Sequence, residues 1–162
     1  VFARGDLPLP DRLAPKTFFA ALRAAAEPHV QGHAVRWQCD SHTGELLCNR
    51  DTLVGAVLNL VENALQAAGP QARLKVHLYS RGQQLRLCIS DNGEGIDSAT
   101  LERLGEPFFT TKTTGTGLGV AVVKAVARAH QGDLLLRSRP GRGTCAILTL
   151  PLIAAAQPVT QE

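Results

Sequence analysis

Between residues 73 and 91 the chain alternates twice. Leu74, Val76 and Leu78 are separated by Lys75 and His77, and Leu85, Leu87 and Ile89 by Arg86 and Cys88. A period of two marks a strand with one buried face. Ser80-Arg81-Gly82-Gln83 lies between the runs, so residues 73–79 and 84–91 are expected to form an antiparallel hairpin. The second run ends on Asp91, which continues the apolar parity. Its carboxylate is thereby directed to the core side, where an ionised group is costly unless strong donors meet it. Residues 134–138 and 144–150 repeat the pattern about Pro140-Gly141-Arg142-Gly143 and read as a final hairpin. Residues 34–39 and 45–48 read as short strands around a polar turn.

Elsewhere the period lengthens to that of a helix. In residues 16–27, Phe18, Phe19, Leu22, Ala25 and Ala26 fall on one side, and Pro28 is expected to end the run. From Asn49 and Asp51, which suit an N-terminus, a longer helix runs to Ala68 and stops at Gly69-Pro70. Its core stripe is Leu53, Val57, Leu60, Val61, Ala64, Leu65 and Ala68. Asp97 or Ser98 caps a short helix through Leu101 and Leu104, and residues 118–130 form another, expected to bury Leu118, Val122, Ala125, Val126 and Ala129. Residues 105–117 follow neither period although they contain Phe108 and Phe109. A loop of that length inside a compact domain is more often a functional lid than slack chain. Residues 1–15, with Pro8, Pro10 and Pro15, read as an extended connector, residues 16–150 as one domain, and residues 151–162 as a frayed tail.

Three of these segments carry candidate chemistry. After Asp91 come Gly93 and Gly95, which let the backbone bend and a flat ring approach, so a buried acceptor beside a glycine gap suits a base with an exocyclic amine such as adenine. An ordinary Asp-Asn-Gly turn is the plainer alternative. On the long helix, Asn59, Glu62, Asn63 and Gln66 share an arc. The two asparagines form a neutral, oxygen-rich patch suited to Mg²⁺ shared with phosphates, unless the arc is simply a solvent-facing side. In the lid, Lys112 and the glycines of residues 115–119 run into a helix N-terminus, an arrangement that holds anions, with triphosphate the natural ligand. Gly115-x-Gly117-x-Gly119 has its third glycine one residue early for a dinucleotide fingerprint, and no P-loop sequence occurs.

Composition narrows the field. The chain of 162 residues is 44% hydrophobic and 19% charged, which suits one domain with a full core. Its net charge of +3 is scattered, with little aromatic interleaving, so direct nucleic-acid binding is not expected. The four cysteines form no C-x-x-C pair and read as reduced thiols, which points to a reducing, cytoplasmic setting and away from structural zinc. His29, His33 and His42 read as solvated surface, His77 as a residue of the wet strand face, and His130 as a group at the helix C-terminus that meets the dipole or caps carbonyls. With no Met and a start at Val1, the chain is expected to be a piece of a longer protein.

Four of these segments, in order, carry a resemblance. Asn59-Leu60-Val61-Glu62-Asn63-Ala64 resembles the N box, Asp91-Asn92-Gly93-Glu94-Gly95 the G1 box, Glu106-Pro107-Phe108-Phe109 the F box, and Gly115-Thr116-Gly117-Leu118-Gly119 the G2 box of bacterial sensor histidine kinases. Residues 16–150 are thereby similar to the catalytic ATP-binding domain of that family. The resemblance implies the Bergerat fold: an α/β two-layer sandwich, its mixed and mainly antiparallel sheet covered on one face by three helices, with an ATP lid. It also implies the following roles. Asp91 accepts from the adenine amine, Gly93, Gly95 and Ile96 surround the base, and Thr144 of the last glycine motif lies beside it. Asn59 and Asn63 hold Mg²⁺ and phosphate oxygens, while Phe108, Lys112, Thr114, Gly115, Thr116, Gly117, Leu118 and Gly119 close on the nucleotide. Asn59, Glu62 and Lys112 are the catalytic candidates, with a solvated glutamate the alternative for Glu62. The gyrase, mismatch-repair and Hsp90 ATPases of the same fold place a water-activating Glu four residues before the helix asparagine, where this chain has Asn59. Transfer of the γ-phosphoryl group is therefore expected rather than rapid hydrolysis, with an ATPase of that superfamily or an ATP-responsive binding module as alternatives. No acceptor-type histidine segment occurs. The expected partners are a dimerisation and phosphoacceptor domain upstream of Val1, within a homodimer that is soluble or membrane-attached, and a response regulator. The wording Glu106-Pro107-Phe108-Phe109-Thr110-Thr111-Lys112 is similar to the nitrogen- and flagellar-regulation subgroup, whose regulators often act at sigma-54 promoters.

Overall fold

The computed structural model describes residues 7–41, 43–103 and 119–154. The two expected hairpins form the middle of a five-stranded sheet. Strands β4 (Arg73–Arg81) and β5 (Gln84–Asp91) pair antiparallel, as do β6 (Asp133–Ser138) and β7 (Thr144–Pro151). β7 also pairs antiparallel with β5, and β2 (Ala34–Cys39) adds in parallel to β4, giving the order β2-β4-β5-β7-β6.

The period-two residues decide which face is covered. Leu74, Val76 and Leu78 of β4, Leu85, Leu87 and Ile89 of β5, and Ala146, Leu148 and Leu150 of β7 are all buried. Their layer of helices consists of α1 (Pro15–Val30), α2 (Arg50–Ala68) and α4 (Gly119–Ala129). Phe18 and Leu22 of α1, Leu53, Val57 and Val61 of α2, and Val123 and Ala127 of α4 are fully enclosed against the sheet. Each of the larger of these side chains contributes roughly 1.5–3 kcal/mol of apolar burial. The result is the expected two-layer sandwich, with the short helix α3 (Ser98–Arg103) beside β6.

The cap of α2 follows the expected chemistry. Asn49 Oδ1 accepts from Thr52 N at 3.3 Å, and the Gly69 N–H closes the other end on Leu65 O. Likewise Asp97 caps α3, its Oδ1 accepting from Thr100 N at 2.8 Å, which holds its carboxyl below the usual range.

Four expectations need correction. Pro28 does not end α1; the helix continues to Val30, because the single bond lost near a terminus is offset by burial of Val30. Residues 34–39 and 45–48 are not neighbours across a turn. β3 (Leu46–Cys48) pairs with β1 (Asp11–Leu13) in a separate two-stranded sheet, so the expected connector is partly pinned. At the other end, residues 151–154 are held rather than frayed. Glu45 and Ile153 exchange backbone bonds of 2.8 and 2.9 Å, and Arg12 Nη2 donates to Ala154 O at 3.1 Å. Three-residue strands are too short to show a period, which hid both contacts from the sequence. Finally, α4 buries Val123, Val126 and Ala127, with Ala125 exposed, so its inner face is turned by about one residue from the expected stripe. The lid, residues 105–117, lies outside the described residues.

Candidate functional site

Ser138, Thr144 and Asp91 sit on three neighbouring strands in one row of the core face. Ser138 pairs with Thr144, and Thr144 N donates to Asp91 Oδ1 at 3.3 Å. Gly93 N donates to the same oxygen at 2.8 Å. Asp91 Oδ2 has no protein partner among the described residues, and the carboxylate lines an open cleft of about 560 Å³ shared with Leu101, Arg139 and Arg142. Burial raises the Asp91 carboxyl above the usual carboxylate range, and the two backbone donors offset part of that rise. A half-buried carboxylate thus has one oxygen fixed and one available to a donor in the cleft.

The loop after Asp91 is built without side-chain bulk. A Cβ on Gly93 would come within 2.8 Å of Ala67 O and 2.9 Å of Asp91 Oδ1, and Gly95, at φ +78°, has no room for one because the Arg139 carbonyl occupies its place. Asn92 ties this loop to the connection between α2 and β4, accepting from Arg73 N at 2.7 Å and donating to Gln71 O at 3.1 Å. Ile96 N donates to Ser138 Oγ at 2.7 Å, and Ser138 Oγ donates to Gly143 O at 3.0 Å and lies 2.8 Å from Thr144 Oγ1. Asp91 and Thr144 line the cleft, whereas the space beside Gly93 and Gly95, expected to admit a flat ring, is taken by the Ala67 and Arg139 carbonyls, so these glycines serve close packing of the loop.

Ser138 and Asn92 were not among the sequence candidates. The signal for Ser138 was present: it continues the Leu134, Leu136 parity of β6 onto a polar residue, as Asp91 does on β5. Asn92 gave no such signal, since its partners lie in other elements.

On α2, Asn59 and Asn63 are half-buried one turn apart. Asn63 lies at the start of α4, its Nδ2 being 3.6 Å from where a Gly119 Cβ would stand. Glu62 is turned toward α1, with Oε1 2.7 Å from His29 Nδ1, so His29 is engaged rather than simply solvated. Phe108, Lys112, Thr114, Gly115, Thr116, Gly117 and Leu118 lie outside the described residues.

His130 takes the second of its two expected roles, capping a carbonyl in the last turn of α4. It is fully buried, and burial lowers its imidazole below the usual range, so it acts as a neutral staple rather than a cation on the helix dipole. Nδ1 meets Val126 O at 2.8 Å and Nε2 accepts from Asn49 N at 3.0 Å, joining the end of α4 to the start of α2.

Residues 48–154 match the family described as histidine kinase-, DNA gyrase B-, and HSP90-like ATPase. The chain belongs to that family. It is 78% identical over 156 residues to sensor protein kinase FleS of Pseudomonas aeruginosa, covering 96% of this chain and 39% of that one. It is 38% identical over 117 residues to the signal transduction histidine-protein kinase AtoS of Escherichia coli, covering 71% of this chain and 19% of the relative. The chain thus spans about two fifths or less of these relatives. Among solved structures, a mycobacterial sensor histidine kinase, MprB, superimposes with a TM-score of 0.77 at 24% identity, over 90% of this chain and 99% of that one. Full-length ShkA in complex with AMPPNP gives 0.81 at 21% identity, over 97% of this chain and 34% of that one. The fold is that of the family's histidine-kinase catalytic domains, and the sequence is that of a flagellar-regulation-like sensor kinase's ATP-binding domain. Among the described residues no helix is long and apolar enough to cross a membrane.

Proposed function

We propose that the cleft at Asp91 takes the adenine of ATP and that the domain presents the γ-phosphoryl group to a histidine of a separate phosphoacceptor domain. The observation that supports this most is the carboxylate itself, fixed by Gly93 and Thr144 through one oxygen and lining the cleft with the other free of a partner among the described residues. Such an acceptor matches the exocyclic amine of adenine. Asn59 and Asn63 suit a Mg²⁺ shared with the phosphates, because two neutral amide oxygens bind such an ion only together with ligands from its substrate. That ion, when bound, neutralises phosphate charge.

In this reading Lys112 and the backbone of residues 115–119 hold the phosphates. A catalytic role for Glu62 requires it to exchange His29 for the acceptor histidine. The acceptor's imidazole nitrogen attacks the γ-phosphorus, a new P–N bond forms, and ADP leaves with the electrons of the broken P–O bond. With Asn59 where the related ATPases have their base, no side chain there activates water. The whole protein is proposed to be a cytoplasmic homodimeric kinase, soluble or membrane-attached, whose phosphohistidine is relayed to a response regulator of the sigma-54-linked kind.

The test uses γ-labelled ATP. The chain is expected to bind Mg-ATP without labelling itself, and to label an added phosphoacceptor domain from the same protein. Brisk hydrolysis without transfer would instead favour the ATPase reading.

A further inference from the structure

Glu62 is a lone charge on an otherwise neutral length of α2. From Thr52 to Ala68 the helix carries no other ionisable side chain, and on its polar arc Glu62 stands among Asn59, Asn63 and Gln66. Side chains three or four residues apart on a helix have Cβ atoms about 5–6 Å apart, so a freely turning Glu62 carboxylate reaches the space above Asn59. A negative charge there opposes the polyphosphate that the two asparagines suit.

The carboxylate is instead turned toward α1. His29 Nδ1 lies 2.7 Å from Glu62 Oε1, and because an ionised carboxylate only accepts, the imidazole nitrogen donates. His29 belongs to the last turn of α1, which packs against α2 and runs on through Pro28 to the buried Val30. The residues past Pro28 are thus what bring an imidazole across to Glu62. The two side chains are 37% and 46% exposed, so water screens the pair and it adds little to folding. What the contact does fix is the direction of the only charge beside the asparagine patch.

Resting on the reading of Asp91 and the two asparagines as an ATP site, we propose that His29 is a positioning residue for the nucleotide. By holding the Glu62 carboxylate toward the end of α1, it keeps the space over Asn59 and Asn63 clear of negative charge for the phosphates. This holds for the seating of the nucleotide, before any exchange of His29 for an acceptor histidine. Cutting His29 to alanine frees Glu62 to swing back over the patch, where like charges meet. The penalty therefore falls on ligands that carry phosphate and disappears when Glu62 loses its charge. An uncharged nucleoside does not feel it.

The experiment is a double-mutant cycle on the intact chain, read by calorimetric titration with Mg-ATP and with adenosine. His29→Ala is expected to weaken Mg-ATP by about two- to fivefold, the range of an exposed ion pair, and to leave adenosine binding unchanged. In the Glu62→Gln background the same substitution is expected to cost Mg-ATP nothing. His29→Gln, which keeps an N–H donor, is expected to recover part of the loss. Equal losses for both ligands, or in both backgrounds, would mean that His29 only supports the fold and would overturn the proposal. So would tighter Mg-ATP binding in His29→Ala, which would put Glu62 on the Mg²⁺. Wild type that binds neither ligand would refute the ATP reading itself, and the role of His29 with it, whereas the other outcomes leave that reading standing. Where His29→Ala folds poorly, the free chain gives a second readout: Glu62→Gln is expected to shift the His29 imidazole nitrogen resonances, and unmoved resonances would remove the contact on which the proposal stands.

Discussion

The same three strands build two unlike ends of one face. At one end Leu134, Leu148 and Leu87 form a row across β6, β7 and β5, followed by Leu136, Ala146 and Ile89. The next row with the same parity is Ser138, Thr144 and Asp91. Nothing in the backbone register changes between these rows; only the side chains turn from hydrocarbon to hydrogen-bonding groups. The candidate site is thus the last row of the core, polar and facing a cleft that Leu101 of α3 also lines. The apolar rows supply stability through burial, whereas the polar row spends part of it to hold a carboxylate where burial opposes its charge.

Substitutions at the two ends should therefore separate. Leu87→Ala is expected to lower stability by about 2–5 kcal/mol, since Leu87 is fully buried at mid-sheet, while the folded fraction keeps its nucleotide affinity. Urea denaturation alongside ligand titration checks both halves. His130 extends the comparison to a third place where polar atoms are enclosed. His130→Ala leaves the Asn49 N–H and Val126 carbonyl without their partner and is expected to cost about 1–3 kcal/mol. Because burial depresses the folded-state value below the ordinary 6.5, the unfolded chain takes up the proton more readily. The stability due to neutral His130 is then present above about pH 6.5 and is lost as pH falls through the folded value. Thermal melts of wild type and His130→Gln between pH 7 and 5 should show that part of the slope only in the wild type.

Smaller effects are expected within the polar row. Ser138→Ala removes the acceptor for Ile96 N and the donor to Gly143 O, for a loss of about 0.5–1.5 kcal/mol measurable by urea denaturation. Asp91→Asn keeps an acceptor for Gly93 and Thr144 while removing the charge. Since burial raises the Asp91 value, stability from its protonated form is present at low pH and lost as pH rises through the folded value. The variant is accordingly expected to be no less stable than wild type at pH 7, with the difference closing on acidification. A clear drop in its melting temperature at pH 7 would mean that the charge stabilises the loop.

Much of this architecture was legible because its rows repeat. Leu74 to Leu78 and Leu85 to Ile89 reveal the hairpin through their period of two, and a polar residue on apolar parity reveals Asp91. Ser138 obeyed the same rule and was passed over, because one serine at a strand end also reads as a turn. The β1–β3 pair and the Glu45–Ile153 bridge could not be read, since their partners lie far apart in sequence and their strands are too short to show a period. The turn of α4 was misjudged because valine and alanine occupy nearly all of its positions, which leaves no polar side to fix the phase. Whether Lys112 and the glycines of residues 115–117 meet phosphates is a matter of the lid, and stays a proposal.

The central claim is that Asp91 reads the amine of adenine, and a four-way titration tests it directly. Wild type and Asp91→Asn are each titrated with Mg-ATP and with inosine triphosphate, which has an oxo group in place of the exocyclic amine. A charge-assisted bond contributes about 1.5–3 kcal/mol, so wild type should prefer ATP by roughly tenfold to more than a hundredfold. In a folded Asp91→Asn variant that preference should collapse toward unity. An equal preference for ATP in both proteins would contradict the assignment and place the base elsewhere.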